Sequence, residues 1–140
     1  MIKVQQVNPI YVQQVWSQVL PWLEPVFKLS LIAEYYSVDN LKDYIIRGEQ
    51  DLLIGVNEEV EIQAAVTVQW CNNPNNRIAY ITAFGADIGK DIEVYTQFIE
   101  WLKAMGATRV ECSVRPSVAR LLKNKTGFSP SKQISMELAL

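Results

Sequence analysis

The sequence contains no histidine. A Ser-His-Asp triad, a Cys-His pair, a histidine-ligated zinc and a histidine general base are therefore excluded within this chain. Any catalysis has to draw on carboxylates, tyrosine, lysine, water chains or backbone donors. Cysteine is scarce too: Cys71 and Cys112 fall on separate predicted strands, in no paired ligand spacing, and are expected to be buried free thiols. There is no excess of positive charge, since 13 Lys and Arg face 15 Asp and Glu for a formal net charge of -2. The cations are scattered, with no stripe to neutralise a phosphate backbone, so nucleic acid is not an expected partner. No apolar run reaches the roughly 18 to 20 residues of a bilayer span, and MIKVQQVNPI has neither a charged leader nor a long apolar region. A cytoplasmic location without a membrane partner is the expectation.

With 140 residues, 49% of them apolar, the chain can bury one core and not two, so one domain over 1–140 is expected. MIKVQQV alternates apolar and polar residues as a strand does. Asn8 followed by Pro9 reads as an N-cap with proline in the first helical position, and Val12, Val15, Trp16, Val19 and Leu23 recur at helical spacing. Pro21 and Pro25 are expected to kink or end that helix. Ser37 can cap a second helix with a Leu41, Tyr44, Ile45 stripe, which Gly48 closes.

From Asp51 the period becomes alternating: LLIGV, EIQAAVTVQW and RIAYITAFG, separated by Asn57-Glu58-Glu59 and CNNPNN, read as three consecutive antiparallel strands. DIEVYTQFIEWLKAMGA is a helix with Val94, Phe98, Trp101, Leu102 and Met105 on one face and Gly106 at its end. TRVECSV is then a strand, VARLLKNK a short helix after Pro116, and KQISMEL a last strand. This order predicts an α/β (α+β) sandwich: a mixed sheet in which an antiparallel meander is followed by a right-handed strand-helix-strand crossover, with helices on both faces.

Ala119, Leu122, Gly127 and Phe128 fall in register with Asn-x-x-Ala-x-x-Leu-Tyr-x-x-x-Gly-Phe, and IEWLKAMGATRVEC looks like a central helix running into the strand before it. On these residues, and over essentially its whole length, the chain resembles the GNAT acetyltransferases. The layout around RGEQDLLIGV is also similar to short GNAT-like proteins of tailed phages and prophages. The resemblance implies acetyl-CoA as cofactor, a small-molecule or protein amine as acceptor, and, for a phage protein, the host cytoplasm. It places the pantetheine against Thr82, Ala83 and Phe84 and the phosphates on a loop from Gly85 through Ile88, Gly89 and Lys90. Backbone amides and a helix N-terminus would form the anion cradle there.

The family loop Q/R-x-x-G-x-G/A corresponds to Ala86-Asp87-Ile88-Gly89-Lys90-Asp91, in which only Gly89 matches. Asp87 and Asp91 bring negative charge to a phosphate position, and Asp91 can instead cap the helix that follows. The family tyrosine that protonates the CoA thiolate falls at Lys123, and the preceding asparagine at Pro116. Tyr80 and Thr82 share one strand face, and Glu111 and Ser113 another. They gather in one cleft if the two strands splay; otherwise Tyr80 packs in the core and Glu111 pairs with a cation. Glu58, Glu59 and Glu61 read as solvated turn residues. Trp16 and Trp101 are expected in the core, and Trp22, between prolines, as an exposed aromatic contact. Two functions fit: an acetyltransferase acting on an amine, or a non-catalytic GNAT-like binding or structural module.

Overall fold

Asn8 turns the chain from strand to helix. Its side chain accepts the Ile10 N–H at 3.1 Å, and Pro9 opens a 3-10 turn, Pro9–Tyr11, that leads directly into helix α1, Val12–Leu29. These elements, and those below, come from a computed structural model that describes residues 1–29, 31–86, 92–114 and 116–140. Of the two expected outcomes, a kink or an end, neither Pro21 nor Pro25 gives the second: α1 runs through both. Each proline removes one helical hydrogen bond, at a cost of about 3 kcal/mol. Val12, Trp16, Val19, Leu23 and Phe27 are all buried along one face, and at about 1.5–3 kcal/mol for each such side chain their burial offsets both prolines.

Helix α2, Val38–Ile46, begins in a capping box: Ser37 Oγ accepts the Asn40 N–H at 3.1 Å and Asn40 Oδ1 accepts the Ser37 N–H at 2.9 Å. Gly48, at φ +78°, ends it in the left-handed conformation that glycine adopts without strain.

Strands β1 (Lys3–Val7), β2 (Asp51–Val56), β3 (Ile62–Asn72) and β4 (Arg77–Gly85) form an antiparallel meander in sheet order. Helix α3, Ile92–Ala104, then carries the chain across to β5, Arg109–Glu111, which pairs with β4 in parallel, and α4, Pro116–Lys125, follows. One face of the sheet packs Leu52, Ile54, Ala65 and Ala83 against α1 and α2. The other packs Leu53, Val66, Val68 and Ala79 against Phe98 and Leu102 of α3. The mixed sheet with helices on both faces is the architecture expected from the sequence. Among the described residues no helix is long and apolar enough to cross a membrane.

Four expectations need correction. KQISMEL forms no strand: 129–140 carry no regular structure, and Ile134, Met136 and Leu138 are 83–92% exposed. The strand in TRVECSV stops at Glu111, because beyond it the chain turns away from β4. Met105 is 40% exposed, since α3 has already ended at Ala104. Neither thiol is fully buried: Cys71 lies at the exposed end of β3 and Cys112 is half-buried.

Candidate active site

The site begins where β4 and β5 part. Their parallel ladder has three pairs, Ile78 with Arg109, Ala79 with Val110 and Tyr80 with Glu111. Strand β4 continues to Gly85, paired only with β3, so the backbone edge of Ile81–Phe84 that points toward β5 meets no strand. Buried backbone amides and carbonyls require partners, and such a gap is a place where an extended, amide-bearing ligand satisfies them.

A β-bulge accompanies the parting. Thr67 lies opposite Ala83 and Val68 opposite Ile81, leaving Thr82 as the extra residue. The bulge changes which face later residues occupy. Ala79 and Ile81 pack toward α3, as does Phe84, while Ala83 packs toward α1 and α2. Thr82 itself enters a buried polar network: its Oγ1 donates to Gln50 Oε1 at 2.7 Å and lies 2.6 Å from Thr67 Oγ1. All three residues are at least 93% buried, so these bonds satisfy groups that water cannot reach.

Between the parted strands lies a cavity of about 240 Å³. Ile81–Phe84 form one wall and Cys112–Val114 the opposite one, with Phe98 and Tyr95 of α3, Val118 and Leu122 of α4, Val26 of α1 and Phe128 completing it. Burial pushes the Tyr95 phenol and the Cys112 thiol above their ordinary values, so both stay protonated near neutrality. Tyr95 Oη donates to the Thr126 carbonyl at 2.6 Å, which ties α3 to the end of α4 across the cavity.

Polar groups gather at the fork. Tyr80 Oη donates to Ser113 Oγ at 2.7 Å, so the splay joins a hydroxyl of β4 to one on the segment that follows β5. Ser113 lines the cavity, and having accepted from Tyr80 it keeps its own O–H free to donate. Glu111 does not join them; it pairs with Arg109 at 2.8 Å. On the α1 and α2 face, the Tyr36 hydroxyl is buried with no hydrogen-bond partner, alone in this among the described residues. It lies against Gln50 and Thr82, its ring held edge-on by Phe27 and Tyr44, and desolvation raises its pKa.

The residues expected to bind a cofactor separate into three groups. Thr82, Ala83 and Phe84 line the cavity. Gly85 does not; it sits beneath α1, where a Cβ would collide with the Trp22 carbonyl oxygen, and this approach accounts for the glycine. Ile88, Gly89 and Lys90, with Asp87 and Asp91, lie outside the described residues. Lys123 is exposed on α4. Trp22 is half-buried on the core with its indole N–H donating to Ile62 O at 3.0 Å, so it is not the free aromatic contact that its prolines suggested. Glu58, Glu59 and Glu61 are exposed around the β2–β3 turn, as expected. Among the described residues no group of three or more potential ligands could hold a metal ion.

Sequence reading missed Tyr36, Gln50, Tyr95 and the apolar wall from α4. Tyr95 is the one with a local signal, since it flanks the Val94–Phe98 stripe three residues before Phe98. Tyr36 and Gln50 reach the site from separate loops, and no spacing in the sequence connects them.

No family model and no curated protein sequence matches the chain. Solved structures do. An aminoglycoside acetyltransferase from an uncultured soil metagenomic sample, solved in complexes with trehalose and with sisomicin, superposes with a TM-score of 0.69 at 12% identity over 99% of this chain and 96% of that one. Glucosamine-6-phosphate N-acetyltransferase from Arabidopsis thaliana gives 0.57 at 14% identity, over 99% and 98% of the two chains. An acetyltransferase from Trypanosoma brucei gives 0.58 at 10% identity, over 99% and 100%. The divergence in sequence limits what these likenesses carry to architecture: the chain has the GNAT fold of these acetyltransferases.

Proposed function

We propose that the protein is an acetyl-CoA-dependent N-acyltransferase whose thioester substrate enters the fork between β4 and β5. The observation that carries this reading is the fork itself: apolar walls on both sides and, along Ile81–Phe84, a strand edge freed from β5. A pantetheine arm is extended, carries two amides and is otherwise apolar, which matches that lining. Bound there, acetyl-CoA supplies an activated acyl carbon to an amine.

The chain's own groups have defined tasks in this reading. The freed edge of β4 fixes the arm by backbone hydrogen bonds, which orients the reacting carbon without a dedicated base. Ser113, polarised by Tyr80, donates its hydroxyl hydrogen into the cavity, where negative charge develops on oxygen or sulfur. Tyr95 and Tyr80 hold the walls. An incoming amine attacks the acyl carbon, the CoA thiolate leaves, and the amine releases its proton to solvent.

The test is thiol release from acetyl-CoA in the presence of primary amines, comparing the parent with Ser113→Ala and Tyr80→Phe. Loss of one preorganised donor is expected to lower kcat by about 100-fold for Ser113→Ala, with a smaller loss for Tyr80→Phe. Equal kcat in parent and Ser113→Ala would remove Ser113 from the mechanism. A second reading, a GNAT-like module without turnover such as tailed phages and prophages carry, is favoured by one observation. The titratable groups lining the cavity, Tyr95 and Cys112, are both held neutral by burial, so neither serves as a base. Binding of acetyl-CoA with no amine-dependent thiol release is its signature.

A further inference from the structure

Only three amide, hydroxyl or charged side chains are fully inside the core among the described residues: Gln50, Thr67 and Thr82, at 5%, 0% and 7% exposure. All three belong to one hydrogen-bonded network. They interrupt the apolar layer of Leu52, Ile54, Ala65 and Ala83 that faces α1 and α2. Such bonds add little net stability, because each replaces a bond to water, and apolar side chains of the same shapes would fill the layer about as well. Tyr36 Oη, beside them, is buried with no bond at all, so the cluster is not arranged for greatest stability. Its position on the strand ladder gives it another use.

Thr67 is the residue of β3 at which the register with β4 slips, and Thr82 is the extra residue of β4. Thr82 Oγ1 lies 2.6 Å from Thr67 Oγ1 and 3.2 Å from the Thr67 carbonyl oxygen, and it donates to Gln50 Oε1 at 2.7 Å. Gln50 directly precedes β2, so the polar line runs from the start of β2 across β3 to β4 and pins the bulge at one place. A step of one residue along a strand exchanges its faces and reverses the direction of each N–H and C=O. Loss or migration of the bulge would therefore turn over the residues it passes and interchange the donors and acceptors that those residues present to the cleft.

We propose that Gln50 and Thr67 are positioning residues of the cleft: through the Thr82 hydroxyl they hold the bulge, and so fix which backbone groups of Ile81–Phe84 meet an extended, amide-bearing ligand. Neither residue lines the cavity, whereas Thr82 does, so their effect on a ligand passes through Thr82 alone. This role rests on the reading of the fork as a thioester site. It adds to that reading two residues on the far side of the sheet from α3, which belong to the core by burial and to the site by their bonds.

Calorimetric titration with acetyl-CoA, beside thermal unfolding and the amide NMR spectrum, tests the role in the double variant Gln50→Leu/Thr67→Val. There the Thr82 O–H keeps the Thr67 carbonyl as acceptor, so no hydroxyl of the network is stranded. A Tm near the parent's, displaced amide resonances across Ile81–Phe84 and affinity lower by about tenfold are expected, the loss of one well-placed backbone hydrogen bond. Thr67→Ser, which keeps the Oγ, should bind as the parent does. Gln50→Leu alone should show a smaller loss in the same direction, and it decides the matter if the double variant does not fold. A fall in Tm with affinity and resonances unchanged overturns the positioning role and makes the network purely structural. A parent that binds no acetyl-CoA overturns the thioester reading, and this role with it; variants that bind as tightly as a binding parent overturn this role alone.

Discussion

Two residues, Val60 and Gly85, fit their positions in opposite ways, and each gives an expected outcome. Val60 sits in the β2–β3 turn at φ +63° and is 78% exposed, so a β-branched side chain is held in the left-handed region with no packing in return. Val60→Gly is expected to raise stability by about 1 kcal/mol in urea unfolding; an unchanged midpoint would show that the turn relaxes elsewhere. Gly85 is the opposite case. Gly85→Ala drives a methyl group into the Trp22 carbonyl, where backbone has to move, and about 2–3 kcal/mol of destabilisation is expected in the same measurement.

Three half-buried titrating groups make the fold sensitive to alkaline pH. Cys112, Tyr36 and Tyr95 all hold their protons to higher pH when folded, chiefly through desolvation. Their contribution is complete below the unfolded values, 9.0 for the thiol and 10.0 for the phenols, and is lost as pH rises through the higher folded values. Tm is therefore expected to be level near neutrality and to fall above about pH 9. At pH 8 iodoacetamide should modify exposed Cys71 first, and acetyl-CoA should slow the reaction of Cys112 alone, since only the second thiol lines the cleft.

At the scale of elements, local rules held wherever one residue made one bond. The Asn8-Pro9 start, the Ser37 cap and the Gly48 and Gly106 stops all sit where spacing put them. Ser37→Ala removes the Oγ that accepts the Asn40 N–H, leaving the Ser37 N–H bond to Asn40 Oδ1, and is expected to cost about 1 kcal/mol by thermal or urea unfolding; no change would mean that packing of Leu41 and Ile45 holds α2 without that bond. Local rules failed where tertiary packing outweighed them. Pro21 and Pro25 do not end α1, because its buried stripe on the sheet exceeds the cost of two missing hydrogen bonds. The alternation in KQISMEL is a true strand pattern, but a pattern names a face to bury and not the surface that buries it.

At the scale of the whole molecule, the antiparallel meander, the parallel crossover and both helical layers were legible because the period changes from helical to alternating at Asp51 and back after Gly85. The fork was legible only as a possibility, through Tyr80, Thr82, Glu111 and Ser113. Which of these would meet depended on a one-residue bulge at Thr82, and no propensity marks that position. The cavity wall was less legible still, since it joins Val26, Tyr95, Val118 and Phe128 from four separate segments.

The central claim is that this fork binds the thioester arm, and calorimetric titration with acetyl-CoA tests it most directly when parent and Val118→Trp are compared. Val118 is 40% exposed at the cavity wall, so tryptophan there fills the cleft with little cost to the core. Micromolar binding by the parent, about -8 kcal/mol, with none by Val118→Trp at unchanged Tm, is the expected result. No heat from the parent at millimolar ligand, or equal affinity in the two proteins, would contradict it.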